Sequence, residues 1–188
     1  MAFIVILDAC VLYPAPLRDL LIHLTLTDLF YARWTDRIHD EWIRSLLKNR
    51  TDLNRDQLER TRALMNAHVR DALVEDYESL IDTLELPDPG DRHVLAAAIK
   101  CRADMILTFN LPDFPAAQLQ KWGIQVQHPD EFIANLIDLS PILVCSAVKK
   151  CRENLKRPPR TVAEYLDTLG QQRLPSTVTK LYPYSALL

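Results

Sequence analysis

The chain opens on Phe3-Ile4-Val5-Ile6-Leu7, five apolar residues rich in β-branching, and the run stops abruptly at Asp8. A segment so short and so branched predicts a strand buried in a core. Beyond it, helical and strand spacings alternate. Leu17, Leu20, Leu21, Leu24 and Leu29 predict a helix over 17–30. Tyr31-Ala32-Arg33-Trp34 reads as a short strand, after which Thr35 or Asp36 caps a helix through Ile38, Trp42, Leu46 and Leu47. Asn54 or Asp56 starts a helix to about Arg70, and Ala72 to Glu75 reads as a short edge strand followed by a helical turn through Leu84. Leu86-Pro87-Asp88-Pro89-Gly90-Asp91 is a turn that opens an alanine-rich helix to Arg102. Met105 to Phe109 predicts a buried strand, 116–122 a short helix, 124–126 a strand, and Pro129 opens a helix to Leu139. This alternation predicts an α/β sandwich with a mainly parallel sheet of about five strands flanked by helices.

The texture changes at Ser140-Pro141. Two helical pieces split by Pro158-Pro159 lead into a Pro-punctuated tail, so residues 1–139 read as the body and 140–188 as a basic helical C-terminal extension. Charge follows the same division: the body carries a net −8, whereas the extension carries 8 Lys/Arg against 3 Asp/Glu, a net +5. Such a tail either contacts RNA phosphates or docks on the acidic body. The hydrophobic content of 48% and charged content of 25% are ordinary for a globular protein. The N-terminus lacks a basic segment and no run approaches the ~20 apolar residues of a membrane span, so a cytoplasmic protein is expected. Four cysteines without a C-x-x-C read as reduced thiols. Gly90, Gly123 and Gly170 are the only glycines, which excludes a G-x-G-x-x-G loop and a P-loop.

Acidic residues carry the chemistry. In a parallel α/β sheet, strand carboxyl ends and the N-termini of the following helices share one edge, and ligands bind there. Asp8 ends the first strand and Asp113 lies just beyond Met105–Phe109; Asp91 opens a helix and Glu41 lies near the start of another. Four carboxylates at one edge raise one another's pKa unless a cation is present. Oxygen ligands with no His or Cys nearby in sequence favour Mg²⁺ or Mn²⁺ over zinc. Each acid also fits an ordinary role: Asp88 and Asp91 as caps around Pro89, Glu41 as a solvated helix residue, Asp113 as a turn residue. For Asp91 the helix face argues otherwise, because Val94, Leu95, Ala98 and Arg102 share its side. His93 falls roughly 160–200° from Asp91 around the helix, a surface or supporting position. A phospho-accepting receiver lacks the paired acids and late lysine it needs, and no Gly-x-Ser-x-Gly or Cys/His arrangement is present.

Ile6-Leu7-Asp8-Ala9-Cys10-Val11-Leu12, Asp91-Arg92-His93-Val94-Leu95-Ala96-Ala97-Ala98 and Leu107-Thr108-Phe109-Asn110-Leu111-Pro112-Asp113-Phe114 resemble the signature blocks of PIN-domain ribonucleases. They look most like the VapC-type toxins of bacterial type II toxin–antitoxin modules, in a longer form with extra C-terminal helices. The resemblance spans residues 1–139 and implies a PIN-like three-layer sandwich with metal-dependent endoribonuclease activity on RNA phosphodiester bonds. Carried over by position, it implies Asp8, Glu41, Asp91 and Asp113 as catalytic residues holding Mg²⁺ or Mn²⁺, with Asn110 and Thr108 in support. Glu41 is matched in a variable region that also holds Asp36 and Asp40. Basic residues for RNA are then sought at Arg92, Arg102, Lys149, Lys150, Arg152, Lys156, Arg157 and Arg160. A protein antitoxin and a homodimer are the implied partners. A housekeeping RNA-processing nuclease without an inhibitor and a catalytically inactive PIN-like binding protein remain as alternatives.

Overall fold

The computed structural model describes residues 3–188; Met1 and Ala2, the start of the expected body, lie outside the described residues. The chain runs β1 (Phe3–Leu7), α1 (Ala9–Leu12), α2 (Ala15–Thr25), β2 (Phe30–Arg33), α3 (Asp36–Asn49), α4 (Arg55–His68), α5 (Glu78–Ile81) and α6 (Arg92–Lys100). It continues through β3 (Met105–Leu107), α7 (Ala116–Leu119), β4 (Gln125–Gln127), α8 (Pro129–Leu139), α9 (Pro141–Asn154), α10 (Val162–Gln171) and α11 (Pro175–Leu181). Short 3₁₀ turns fill Pro89–Asp91, Leu111–Asp113, Gln120–Trp122 and Tyr182–Leu187.

The strands form one parallel sheet in the order β2-β1-β3-β4. Val5, Ile6 and Leu7 have no exposed surface, as a central strand covered on both faces requires. The small residues of α6 let it pack closely on the sheet, and its Ala96, Ala97 and Ala98 are fully buried. Among the described residues no helix is long and apolar enough to cross a membrane.

The expected edge strand at Ala72–Glu75 shrinks to a single parallel bridge between Trp34 and Leu73. Asp71 and Asp76, both at positive φ (55° and 56°), bend the backbone on either side and leave too little extended chain for a ladder. The sheet therefore has four strands among the described residues. The Pro-punctuated tail is helical: Pro175 stands at the first position of α11, where its missing N–H costs nothing.

The extension docks on the body. α9 packs on α2 and α11 on α8, and the Asp130 carboxylate accepts the Ser176 and Thr177 N–H groups at 3.0 and 2.8 Å. α8 itself is tied to the sheet by Phe132, edge-on to Phe30 (5.0 Å) and Phe3 (5.9 Å), pairs worth about 0.5–1.5 kcal/mol each beyond their burial.

Candidate functional site

Strand register builds the first half of the site. Leu7 pairs with Leu107, so the next residues, Asp8 and Thr108, leave the sheet side by side. The Asp8 N–H donates to Leu107 O at 3.1 Å. The Asp8 side chain accepts from Ala9 N–H at 2.6 Å through Oδ1 and from Thr108 Oγ1 at 2.7 Å through Oδ2. The Cys10 thiol also donates to Oδ2, at 3.1 Å. Asn110 N–H donates to Thr108 Oγ1 at 3.0 Å, which fixes the β3 exit loop to the same constellation. Burial, reinforced by the Asp8 charge, pushes the Cys10 thiol up to about 12. It stays protonated, a donor with no nucleophilic character.

Helix starts bring in the rest. Thr35 caps α3, accepting Ile38 N–H at 3.1 Å, and Glu41 lies one turn further along. Asp88 caps the Pro89–Asp91 turn by accepting Gly90 N–H at 2.7 Å, whereas Asp91 at the start of α6 makes no capping bond with its side chain. Its carboxylate is thus left free for other work. Asp8, Glu41 and Asp91 line one pocket of about 430 Å³ with Cys10, Tyr13, Trp42, Ser45 and Asn110. Asp113 sits half-buried in the Leu111–Asp113 turn and does not line the pocket, although its charge reaches Asp91. Burial first, then the charges of Asp8, Asp88, Asp113 and Glu41, push the Asp91 carboxyl up to about 7.

Glu41 is drawn aside. Its Oε1 lies 3.5 Å from Arg37 Nε and 2.9 Å from His93 Nε2. The histidine contact is close but badly directed, because neither ring nitrogen of His93 has a hydrogen-bond partner among the described residues. His93 is buried (1% exposed) and abuts Glu41, so it takes a supporting position and not a surface one. Its angle from Asp91 is as the helix dictates, but α6 is covered on several sides, and the face opposite Asp91 does not meet solvent.

Among the described residues no group of three or more His, Cys, Asp or Glu side chains is closed around a point that holds a metal ion. The donor set nevertheless fits a hard divalent cation in kind. Its pocket has three carboxylates and no lysine or arginine in the wall, and one carboxyl is driven toward protonation by its neighbours. A cation would offset that repulsion.

The basic residues are dispersed. Arg92 adjoins Asp91 and buries its Nε without a partner. Arg102 lies past the end of α6, at positive φ (54°), on the sheet edge opposite the pocket. Lys149 and Lys150 are exposed on α9, and Lys156, Arg157 and Arg160 are exposed between α9 and α10. Arg152 is engaged by the fold, donating to Leu188 O at 2.9 Å and Arg160 O at 3.0 Å.

Sequence reasoning did not single out Tyr13, Trp42 or Ser45 as pocket walls. Ser45 follows Glu41 by four residues on α3, which was the available signal. A second omission is the network behind Trp42: its Nε1–H donates to His39 Nδ1 (3.0 Å), and His39 Nε2 meets Asn66 Oδ1 (3.1 Å). Burial lowers His39 to about 4, so the ring is neutral and Nε2 carries the proton that Asn66 accepts.

Comparison with known proteins agrees with this architecture. Residues 4–111 match the PIN domain, and residues 129–183 match the VapC50 C-terminal domain. A Mycobacterium tuberculosis (strain ATCC 25618 / H37Rv) protein, provisionally named ribonuclease VapC50, is 36% identical over 95 residues. That match covers 50% of this chain and 56% of the relative, so it spans little more than half the relative's length. No solved structure matches the chain.

Proposed function

The chain belongs to the PIN-domain family, and from that premise we propose that it is a metal-dependent endoribonuclease, the toxin of a type II toxin–antitoxin pair. The observation that carries this reading is the pocket of Asp8, Glu41 and Asp91, walled by carboxylates without a cation, with Asp91 pushed up to about 7. Asp8, Asp91 and Glu41, with Asp113 beside them, would hold Mg²⁺ or Mn²⁺. What such an ion supplies when bound is an activated water and compensation for charge gathering on the phosphate.

The chain's own residues do the rest. Ala9 N–H and Thr108 take one oxygen each of Asp8, which locks the carboxylate in a single orientation. Asn110 and Ser45 place neutral polar groups in the wall for phosphate or ribose oxygens, and Tyr13 offers a face for a base. Residues 1–139 form the nuclease unit and 140–188 the extension. Arg92 and the exposed Lys149, Lys150, Lys156, Arg157 and Arg160 are the candidates for the RNA backbone. A protein antitoxin, a homodimer and a cytoplasmic location belong to the same proposal, supported by the VapC50 likeness.

The test compares purified protein with its Asp8→Asn variant on RNA, with Mn²⁺ and with EDTA. The expected result is metal-dependent cleavage that falls at least about a hundredfold in the variant. Equal residual cleavage by both proteins would sink the nuclease reading.

A further inference from the structure

The α10–α11 loop is pinned to the catalytic edge: the Arg173 guanidinium lies 4.5 Å over the ring of Phe109, the residue between Thr108 and Asn110. Its neighbour Gln172 lines a cleft of about 590 Å³ together with Tyr13, Pro16 and Arg18. Tyr13 also walls the carboxylate pocket. Pro16 also walls a further cleft of about 580 Å³ formed by Lys156, Arg157, Arg160 and Thr168 of the extension. The shared walls set the three clefts in a line along the α1–α2 corner.

Their chemistry changes in a definite order along that line. Three carboxylates come first, with room for a cation. Arg18 follows, 7% exposed, with Nη1 donating to Leu12 O at 2.8 Å and the guanidinium 4.8 Å from the Trp42 ring. Its buried Nε has no hydrogen-bond partner, and it joins no ion pair among the described residues. The Asp19 charge offsets part of the cost of burying this guanidinium, but the Nε donor stays unsatisfied, and a buried donor without a partner favours a visiting acceptor. Last come three exposed cations, none ion-paired among the described residues, in a cleft whose lining holds no carboxylate.

We propose that single-stranded RNA leaving the carboxylate pocket follows this line past Tyr13 and Arg18 onto the Lys156–Arg157–Arg160 cleft, which makes the extension a substrate-docking platform remote from the cut. This rests on the nuclease reading above. It resolves the choice posed by the basic tail: the extension docks on the acidic body through its apolar faces and turns its cations toward the strand. A polyanion matches the order of charges better than an acidic protein segment does, because the last cleft presents several cations and only Leu155 as a large apolar anchor.

The test is the triple variant Lys156→Ala, Arg157→Ala, Arg160→Ala in the full chain, with its unfolding midpoint checked against wild type. Binding of single-stranded RNA is measured by fluorescence anisotropy in EDTA across a salt series. Loss of three phosphate contacts lowers the slope of log K against log salt by about 2. With Mn²⁺ present, KM for an RNA of roughly 16 nucleotides rises about tenfold, more than KM for one of roughly 4, while kcat stays close to wild type. An unchanged salt slope and an unchanged KM overturn the proposal and leave the cleft to an acidic protein segment. If wild-type protein cuts neither RNA, the nuclease reading fails, and the salt slope still reports on the docking platform.

Discussion

Asp91 and Asp130 are the same residue at the start of two helices, driven in opposite directions. Asp91 is half-buried, makes no capping bond and faces Asp8, Asp88, Asp113 and Glu41; its carboxyl is pushed up to about 7. Asp130 is also withdrawn from water, and burial alone would raise it. The Thr177 and Ser176 N–H groups outweigh burial and hold it below the usual carboxylate range. The fold has used Asp130 to fasten the extension. It has left Asp91 without donors and among like charges, a local destabilisation that a proton or a cation relieves.

Breaking the fastened member has the larger expected effect. Asp130→Ala leaves the buried Thr177 N–H and the partly buried Ser176 N–H of α11 unpaired and lowers stability by about 3 kcal/mol, read from urea unfolding. Because the Asp130 pKa is depressed, its contribution is present above the ordinary value of 3.8 and is lost as pH falls through the folded value. The gap between wild type and variant therefore closes in acid.

Thr108→Val is next, since it removes a donor to Asp8 with almost no change in volume. Mn²⁺ affinity measured by calorimetry is expected to fall about tenfold, the usual effect of deleting a group that orients a ligand. An unchanged affinity would separate Thr108 from the metal.

A further effect has the opposite sign. Asp91→Asn should stabilise the metal-free protein. The folded Asp91 keeps a proton up to about 7 whereas the unfolded residue loses it at 3.8, so the wild-type penalty grows as pH rises between those values. At about pH 8 in EDTA the variant should melt higher, by about 2–4 °C for each kcal/mol relieved, and the advantage should vanish below about pH 4. A variant that melts lower would show that Asp91 is held by contacts and not strained by them.

Much of this contrast was legible in the sequence, for reasons that differ by residue. Asp8 stood out because a core strand that ends on a carboxylate calls for a cation or a substrate at that point, and the register with β3 gave it Thr108 as a partner. The face of α6 separated Asp91 from a mere cap, and the structure agrees that it caps nothing with its side chain. Glu41 was harder, because spacing along α3 places it at the edge but says nothing of Arg37 and His93 pulling on it. For His93 the sequence left a surface and a supporting position open, because a helical angle reports direction, while exposure depends on what other elements cover. Asp130 went unnoticed altogether. It looks like an ordinary first-turn acid, and its partners lie 46 and 47 residues away, beyond the reach of local spacing.

The hydrogen bond from Thr108 to Asp8 joins residues 100 positions apart, and its consequence is one of timing. A ribosome adds roughly 5–20 residues per second, so Asp8 waits on the order of 5–20 s before Thr108 has been made. In that interval β1 has β2 available as a neighbour but no β3, and its terminal carboxylate has only Ala9 and Cys10 as hydrogen-bond donors. Pairing over such separations is also slow to form once both halves exist. A nascent or truncated chain that stops short of β3 therefore lacks the neighbour that completes this edge, and the contact forms only after more than half of the chain has been made.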